Sequence, residues 1–200
     1  MKILKFLILI VLLVILLFIV MGFIKPTVNY GHEIEVNKSA KEAWAVHQDP
    51  TKLNQWLDGF KSIELIKGQE NEIGSQYKVV VNPQEGQPDF EMIETLVDKE
   101  DYKFITFSFD SDMMVFDQKT SFTESDGKTK IRTESKVVGK GMMMKSMFAM
   151  MEIFTGSFQS KEAENIEELK KVIESNTTDY YPVDLTNTVL PEGKIDEVEQ

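Results

Sequence analysis

A run of 19 apolar residues near the start of the chain, from Phe6 to Ile24 with Gly22 inside it, is the longest such run in the sequence. An α-helix rises about 1.5 Å per residue and the hydrocarbon core of a bilayer is roughly 30 Å thick, so a helix of this length can just span it. Lys25 and Pro26 end the run. The pattern therefore predicts a single transmembrane anchor over residues 1–25.

The alternative interpretation of this run is a cleaved signal peptide, whose apolar region usually has about 7–15 residues and ends in small residues. The run here is longer, and Val20-Met21-Gly22 is a poor cleavage site. The chain has no cysteine, which excludes a lipid-modified one. These features favour an uncleaved, single-pass anchor. Because Lys2 and Lys5 precede the run, the positive-inside rule favours a domain on the non-cytoplasmic side.

Beyond the anchor, the pattern is mainly that of β-strands. Alternating apolar and polar residues from Val28 to Val36 predict a first strand. Ser39 and Glu42 have the spacing of a capping box, which opens a short helix, and a second short helix or turn leads from Asp49 to Trp56. Six more strands, joined by short connections typical of antiparallel neighbours, are predicted at 60–67, 73–82, 89–98, 102–110, 113–124 and 128–139.

The apolar period changes from two residues to that of a helix after residue 141. The helical stripe predicts one long helix over residues 142–175, with Gly156 as a weak point. Its apolar members are Met143, Met147, Met150, Met151, Phe154, Phe158, Ile166, Leu169 and Ile173. Residues 179–200 form an acidic tail, whose first part could pack on the domain and whose end we expect to be disordered.

This order of elements resembles the START-like superfamily, also called SRPBCC or the polyketide cyclase/dehydrase and lipid-transport group. The resemblance covers residues 28–175 and rests on the first strand, Ser39-Ala40-Lys41-Glu42-Ala43-Trp44, Asp49-Pro50 before Trp56, and the strand from Phe60 to Gly68 followed by Ile73-Gly74. It implies an α+β helix-grip fold, in which a curved antiparallel sheet of about seven strands wraps round a long C-terminal helix. It also implies an apolar cavity, commonly used for lipids, sterols or polyketides, in a domain spanning residues 26–178.

Charge and composition exclude several classes of function. The formal net charge is −11, which argues against nucleic acid as a partner and against adhesion to anionic lipid by charge alone. The sequence contains no P-loop, dinucleotide glycine fingerprint or HExxH motif, and two histidines without cysteine offer few ligands for a transition metal. We therefore expect no cofactor and no bound metal, and the sequence identifies no protein partner.

Candidate ligand-binding residues follow from the predicted faces of the helix and strands. Six of the eleven methionines lie in Met142–Met151, and flexible methionine side chains suit variable apolar ligands, although the same stripe could simply be core. His32 could be a polar handle or an ordinary core histidine. Glu94 would have a raised pKa if it lies inside, and a register slip would turn it outward. The cavity-lining candidates are His32, Met92, Glu94, Phe116, Gln118, Thr133, Ser135, Met143, Met147, Met151 and Phe154.

Three functions are compatible with these features. The first is a membrane-tethered carrier or sensor that binds an apolar small molecule or lipid between sheet and helix. The second is a cyclase or dehydratase that uses His32 or Glu94 as general acid–base in the same cavity. The third is a non-catalytic interaction module with a filled core, as in co-chaperones of related fold. Because the sequence shows no catalytic constellation, it favours binding over catalysis, and we assign no catalytic residue.

Overall fold

The computed structural model describes residues 2–82 and 86–182, and its elements follow the predicted order. The helices are α1 (Lys2–Ile24), α2 (Ala40–Gln48), α3 (Leu53–Trp56), α4 (Gly141–Thr155) and α5 (Ser157–Ser175), with a 3-10 turn at Pro50–Lys52 between α2 and α3. The strands are β1 (Val28–Tyr30), β2 (Glu33–Val36), β3 (Phe60–Lys67), β4 (Gln76–Val81), β5 (Phe90–Glu100), β6 (Phe104–Asp110), β7 (Met114–Ser125) and β8 (Lys128–Gly139).

All of these strands form one antiparallel sheet in the order β1-β8-β7-β6-β5-β4-β3, with β2 also paired to β8. Neighbours in the sheet from β3 to β8 are neighbours in the chain, as short connections require. The two-residue turn at Asp126-Gly127 has positive φ at both positions, 54° and 74°, which matches the twist of a tight hairpin. The predicted antiparallel sheet is confirmed.

The first predicted strand is present in two pieces that keep one register. Tyr30 pairs with Ser135 and Glu33 pairs with Arg132, so β1 and β2 follow the same edge of β8. At the break, a Cβ on Gly31 would lie 2.2 Å from a carbonyl oxygen of β8, which explains the need for glycine there. The eight segments therefore occupy seven positions in the sheet, the number predicted.

The helix predicted over residues 142–175 is present, but it is divided into two at Gly156, the weak point identified in the sequence. Gly156 adopts φ 60° and ψ 29°, and its N–H donates to the Glu152 carbonyl at 3.0 Å. This left-handed geometry is the usual one for a glycine that ends a helix. The Glu152 side chain then accepts a hydrogen bond from the Phe158 N–H at 3.0 Å and caps the first turn of α5.

Helix α5 is the helix that the sheet grips. Its Ile166, Leu169 and Ile173 are at most 3% exposed and pack against β2, β8 and the inward side of α2. The predicted capping box of α2 is present, with the Ser39 side chain accepting from the Glu42 N–H and the Glu42 side chain accepting from the Ser39 N–H. The apolar contacts of α5 form the main hydrophobic core and hold this helix across the concave face of the sheet. The helix-grip fold is therefore confirmed.

The apolar N-terminal run is helical, and α1 is the helix among the described residues that is long and apolar enough to span a membrane. Nearly all of its side chains are exposed. Its last two turns contact α4, where Gly22 is buried and a Cβ on it would lie 2.5 Å from the Ser146 Oγ. The absence of a side chain at this position therefore permits the close contact between α1 and α4.

Past α5, the chain stays on the domain as far as it is described. The Tyr180 hydroxyl donates to Asp49 Oδ2 at 2.6 Å, and the Lys41 ammonium lies 3.8 Å from the centre of the Tyr181 ring. The acidic tail predicted from residue 179 thus begins with two anchored tyrosines. Its predicted disordered end, residues 183–200, lies outside the described residues.

Candidate ligand-binding cavity

A cavity of about 680 Å³ lies between the sheet and the helices on its concave side. Helix α5 packs on β1 and β2 and on α2 and α3, and α3 in turn contacts β3, whereas β4 to β6 have no helix packed so closely against them. The space left between α5 and these strands is the cavity. Its walls therefore come from the inward residues of β3–β7, from α3 and from the first turns of α5.

The cavity walls are mainly apolar and rich in phenylalanine. Six phenylalanines border it, at Phe60, Phe90, Phe107, Phe109, Phe116 and Phe158. The rings of Phe109 and Phe116 stack with centroids 4.9 Å apart, and Tyr30 joins them to α5 through a 5.6 Å contact with Phe158. Such walls make dispersion contacts with an apolar ligand, and their phenylalanine side chains have no hydrogen-bonding groups for a polar one.

Glu94 places a carboxyl group in this apolar wall. It lies between Tyr77 on β4 and Phe109 on β6 in the strand pairing. Burial raises the pKa of this carboxyl to about 7, with no charged or hydrogen-bonded neighbour acting on it among the described residues. The side chain is half-buried and borders the cavity, so a group inside the cavity could reach it. Near neutral pH it can either donate or accept a hydrogen bond.

The His47 and Trp56 side chains lie at the α2–α3 end of the cavity. His47 is buried and stacks on Trp56 with ring centroids 5.6 Å apart. Its burial lowers the pKa of the imidazole to about 4, so the ring is neutral at physiological pH. The Trp56 Nε1 is buried and has no hydrogen-bond partner among the described residues. Buried donors are usually paired, so Trp56 offers a donor for a molecule in the cavity.

A buried polar pair lies on the α5 side. The Gln118 amide donates to Oε1 and Oε2 of Glu162 at 3.0 and 3.2 Å, and it is 3.2 Å from the Ser135 hydroxyl. Burial raises the pKa of the Glu162 carboxyl, while its hydrogen bonds act in the opposite direction. Burial also raises the pKa of the neighbouring Tyr30 hydroxyl. The pair joins α5 to β7, and the Gln118 amide nitrogen and both Glu162 carboxylate oxygens are already bonded within the protein.

The structure distributes the candidate residues predicted from the sequence over three places. The residues that border the cavity are Met92, Glu94, Phe116, Gln118 and Met151. Thr133 and Ser135 point inward from β8 but lie beside the break between β1 and β2, where with His32 they line a separate, open groove. His32 Nε2 lies 3.1 Å from Glu167 Oε1, within hydrogen-bond distance, and both side chains are partly exposed.

The remaining candidates, all on α4, lie outside the cavity. Met143 and Phe154 are each 73% exposed, and Met147 packs beside Val28 and Phe148 in a small cluster under α4. The turn at Gly156 changes the direction of the chain, so α4 packs on β1 and β8 and the apolar stripe does not continue along one wall of the cavity. For these three residues, the predicted cavity-lining position disagrees with the structure.

Sequence reasoning missed several polar groups that border the cavity, among them His47, Trp56 and Glu162. A signal existed for two of them. His47 lies four residues after Ala43 on the apolar stripe of α2, and Glu162 lies four residues before Ile166 on the stripe of α5. A polar residue at a stripe position is expected to face the interior. In the described ranges, no group of His, Asp and Glu is arranged to hold a metal.

No protein-family model matches the chain, and no curated protein matches it in sequence. Solved structures do match in shape. The structure of Ara h 8.0201 has a TM-score of 0.56 at 13% identity, covering 75% of this chain and 99% of that one. The protein TTHA0849 from Thermus thermophilus gives 0.59 at 10% identity, covering 76% and 100%.

A third match is an enzyme. Truncated norcoclaurine synthase from Thalictrum flavum has a TM-score of 0.52 at 16% identity, covering 75% of this chain and 95% of that one. These identities are low, and the likeness is one of fold. The matches span nearly the whole of each neighbour and about three quarters of this chain. This chain therefore shares the helix-grip fold of these neighbours, as its sequence pattern predicts.

Proposed function

We propose that this protein is a membrane-tethered binding protein that holds an apolar small molecule or lipid in the cavity between the sheet and α5. The observation that carries the proposal is the cavity itself. Its volume of about 680 Å³ falls within the usual range of ligand pockets, roughly 300–1,000 Å³. Its six phenylalanines favour an apolar guest, and a cavity of this size disfavours the alternative of an interaction module with a filled core.

The ligand that suits this cavity has an apolar body and one hydrogen-bonding end. Most of the wall can only make dispersion contacts, while Glu94 and the Trp56 Nε1 are polar and unpaired among the described residues. A hydroxyl, amine or carboxylic acid group could bond to Glu94 in one of its two protonation states. A fatty acid, sterol or amphiphilic aromatic molecule would meet this requirement.

In the same proposal, α1 is an uncleaved anchor. Its contact with α4 supports this view, because Gly22 is fitted closely to Ser146. A signal peptide that is removed would need no such fit. The positively charged Lys2 and Lys5 favour a domain on the non-cytoplasmic side. A membrane-impermeant maleimide should then label a Thr123→Cys variant from that side in vesicles of known sidedness, and labelling only after lysis would reverse the orientation.

Native mass spectrometry of the full chain, purified in mild detergent, tests the binding function. We expect a small-molecule adduct on the wild type. Met92→Trp should remove it, because Met92 borders the cavity and the larger side chain would fill that space. The matched control is Glu91→Trp, which changes the adjacent, exposed residue on the opposite face of β5. If the wild type carries no adduct, or if both variants keep it, the proposal fails.

A second candidate function is catalysis in the same cavity, and the Glu94 carboxyl is the observation that favours it. A carboxyl whose pKa is raised to about 7 in an apolar cavity can transfer protons near neutral pH. The fold neighbour norcoclaurine synthase is an enzyme by name. The adduct mass distinguishes the two functions. An enzyme should accumulate a molecule of different mass in Glu94→Gln, whereas a carrier should bind the same molecule or none.

A further inference from the structure

Helix α4 has the composition of a helix that does not face water. Only Lys145 and Glu152 are charged among its 15 residues, and the Glu152 carboxylate is bonded to the Phe158 N–H. By contrast, α5 carries eight charged residues in 19. A helix that is apolar on all sides is normally buried in a protein or in lipid.

Protein covers only part of α4. Phe148 and Ala149 are buried against the domain, and Ser146 is buried against α1. The opposite side of the helix is exposed. Its exposed apolar side chains are Met143 (73% exposed), Met151 (39%), Ile153 (48%) and Phe154 (73%). Scattered exposed apolar residues are ordinary on a protein surface, but four on a single 15-residue helix form a patch that needs a partner.

The position of α4 beside α1 indicates what that partner is. The residues of α1 that are shielded from solvent are Phe18, Met21 and Gly22, all in its last two turns. The Ser146 hydroxyl lies 3.5 Å from the Ile19 carbonyl oxygen, so the contact is with residues inside the 19-residue apolar run. That run is only just long enough to cross the hydrocarbon core. If α1 spans the bilayer, residues 18–22 lie in its outer part, and a helix packed beside them lies at the same depth.

We propose that α4 is a second membrane-contacting element, which lies in the interface of the bilayer with Met143 and Phe154 among the lipid acyl chains. This inference rests on the proposed anchoring of α1 and extends it. An interfacial helix buries its apolar face about 5–10 Å deep at the boundary of headgroups and acyl chains. Because α4 packs beside the end of α1, one bilayer would cover the exposed faces of both helices in this proposal.

The placement has a consequence for the cavity. Met151 on α4 and Phe158 on α5 both border it, and they flank the turn at Gly156. The corner between α4 and α5 is thus part of the cavity wall and lies next to lipid. An apolar ligand could pass between bilayer and cavity at this corner without crossing water.

Fluorescent labels at single cysteines test the inference in the full chain, reconstituted in phosphatidylcholine nanodiscs. The native sequence has no cysteine, so each label is unique. Bimane is attached to Met143→Cys and Phe154→Cys on α4, to Leu12→Cys within α1, and to Thr123→Cys at the end of β7 farthest from α4. Quenching is measured with lipids carrying a doxyl group near the headgroup or near the chain end, and with aqueous iodide.

We expect both α4 labels to be quenched by the lipid with the shallow doxyl group and protected from iodide. The Leu12 label should be quenched best by the lipid with the deep doxyl group. The Thr123 label should be quenched by iodide alone. If iodide quenches the α4 labels as strongly as the Thr123 label while Leu12 is still in lipid, the inference fails and the anchor stands. If the α4 labels are protected from both quenchers, another protein surface covers them, and the inference also fails. If Leu12 is not quenched by lipid, the proposed anchor and the inference fail together.

Discussion

Helices α4 and α5 are joined through the single residue Gly156, yet their apolar faces meet different surroundings. On α5, Leu169 and Ile173 are completely buried against the sheet. On α4, Met143 and Phe154 are largely exposed beside the N-terminal helix. One glycine with positive φ is enough to rotate the second half of an apolar stripe into a core and to leave the first half outside it. An apolar stripe thus identifies a face that avoids water, and the chain direction decides what covers that face.

The same comparison separates two roles within the molecule. Helix α5 stabilises the domain and closes the cavity, so changes along it should alter folding and ligand binding. Helix α4 contributes its Phe148 and Ala149 to the domain but leaves its other side for a second surface. Changes on that side should leave folding intact.

Shortening a buried side chain of α5 should have the largest effect. Leu169→Ala leaves a cavity in the main core and should lower the free energy of unfolding by about 2–5 kcal/mol. Phe154→Ala, the matched change on the exposed face of α4, should cost less than about 0.5 kcal/mol. Denaturant unfolding of the full chain in one detergent measures both. Equal losses would mean that α4 is part of the folded core.

The carboxyl in the cavity should make stability depend on pH. The pKa of Glu94 is about 7 in the folded chain and 4.5 ordinarily, so between these values the folded chain binds more protons and its stability falls as pH rises. Glu94→Gln cannot lose a proton. It should therefore raise the free energy of unfolding by about 1–3 kcal/mol near pH 8 and change it little near pH 4. The control is Glu64→Gln at an exposed position of β3. A pH-independent difference would place Glu94 in contact with bulk water.

The turn between the two helices should tolerate few residues. Gly156→Ala puts a Cβ on a residue with φ 60° and should cost about 1–2 kcal/mol. Gly156→Asn should cost less, because asparagine adopts the left-handed conformation more easily. Thermal unfolding of the two variants side by side checks the order. If Gly156→Ala stabilised the chain, α4 and α5 could form one continuous helix. Gly156 would then not explain why the apolar faces of the two helices have different surroundings.

The smallest change in domain stability should come from the contact between α1 and α4. In Gly22→Leu the new side chain would collide with Ser146 and separate the two helices. Since this contact lies outside the sheet–α5 core, the free energy of unfolding should change by less than about 0.5 kcal/mol. The fluorescence of the two tryptophans, Trp44 and Trp56, both packed in the domain, reports unfolding. A loss as large as that of Leu169→Ala would show that α1 supports the fold of the domain.

Much of the fold could be predicted from the sequence because its elements carry strong local signals. Alternation placed the strands within about three residues, and Ser39 with Glu42 identified the start of α2. The break at Gly31 left the alternation unchanged, because β1 and β2 keep one register along β8. Local pattern therefore could not reveal it.

The candidate site was less predictable, for a physical reason. A strand pattern indicates which side chains point inward, and it placed Met92, Glu94 and Phe116 on the cavity face. It contains no information on where a helix lies close to the sheet and where a space remains. Thr133 and Ser135 also point inward but line the neighbouring groove, and α4 borders the cavity at Met151 while its Met143, Met147 and Phe154 lie outside it. Whether any of these residues binds a ligand remains a prediction.

The methionine methyl groups allow a direct test of whether the cavity binds an apolar molecule. Met92 borders the cavity, and Met143 lies on the exposed side of α4. The measurement is an intermolecular NOE experiment on the full chain, labelled at the methionine methyls and held in nanodiscs. We predict that the Met92 methyl contacts protons of a bound apolar molecule, while the Met143 methyl contacts acyl chains of the bilayer. If the Met92 methyl contacts only protein and water protons, the cavity holds no apolar ligand and the proposed function is contradicted.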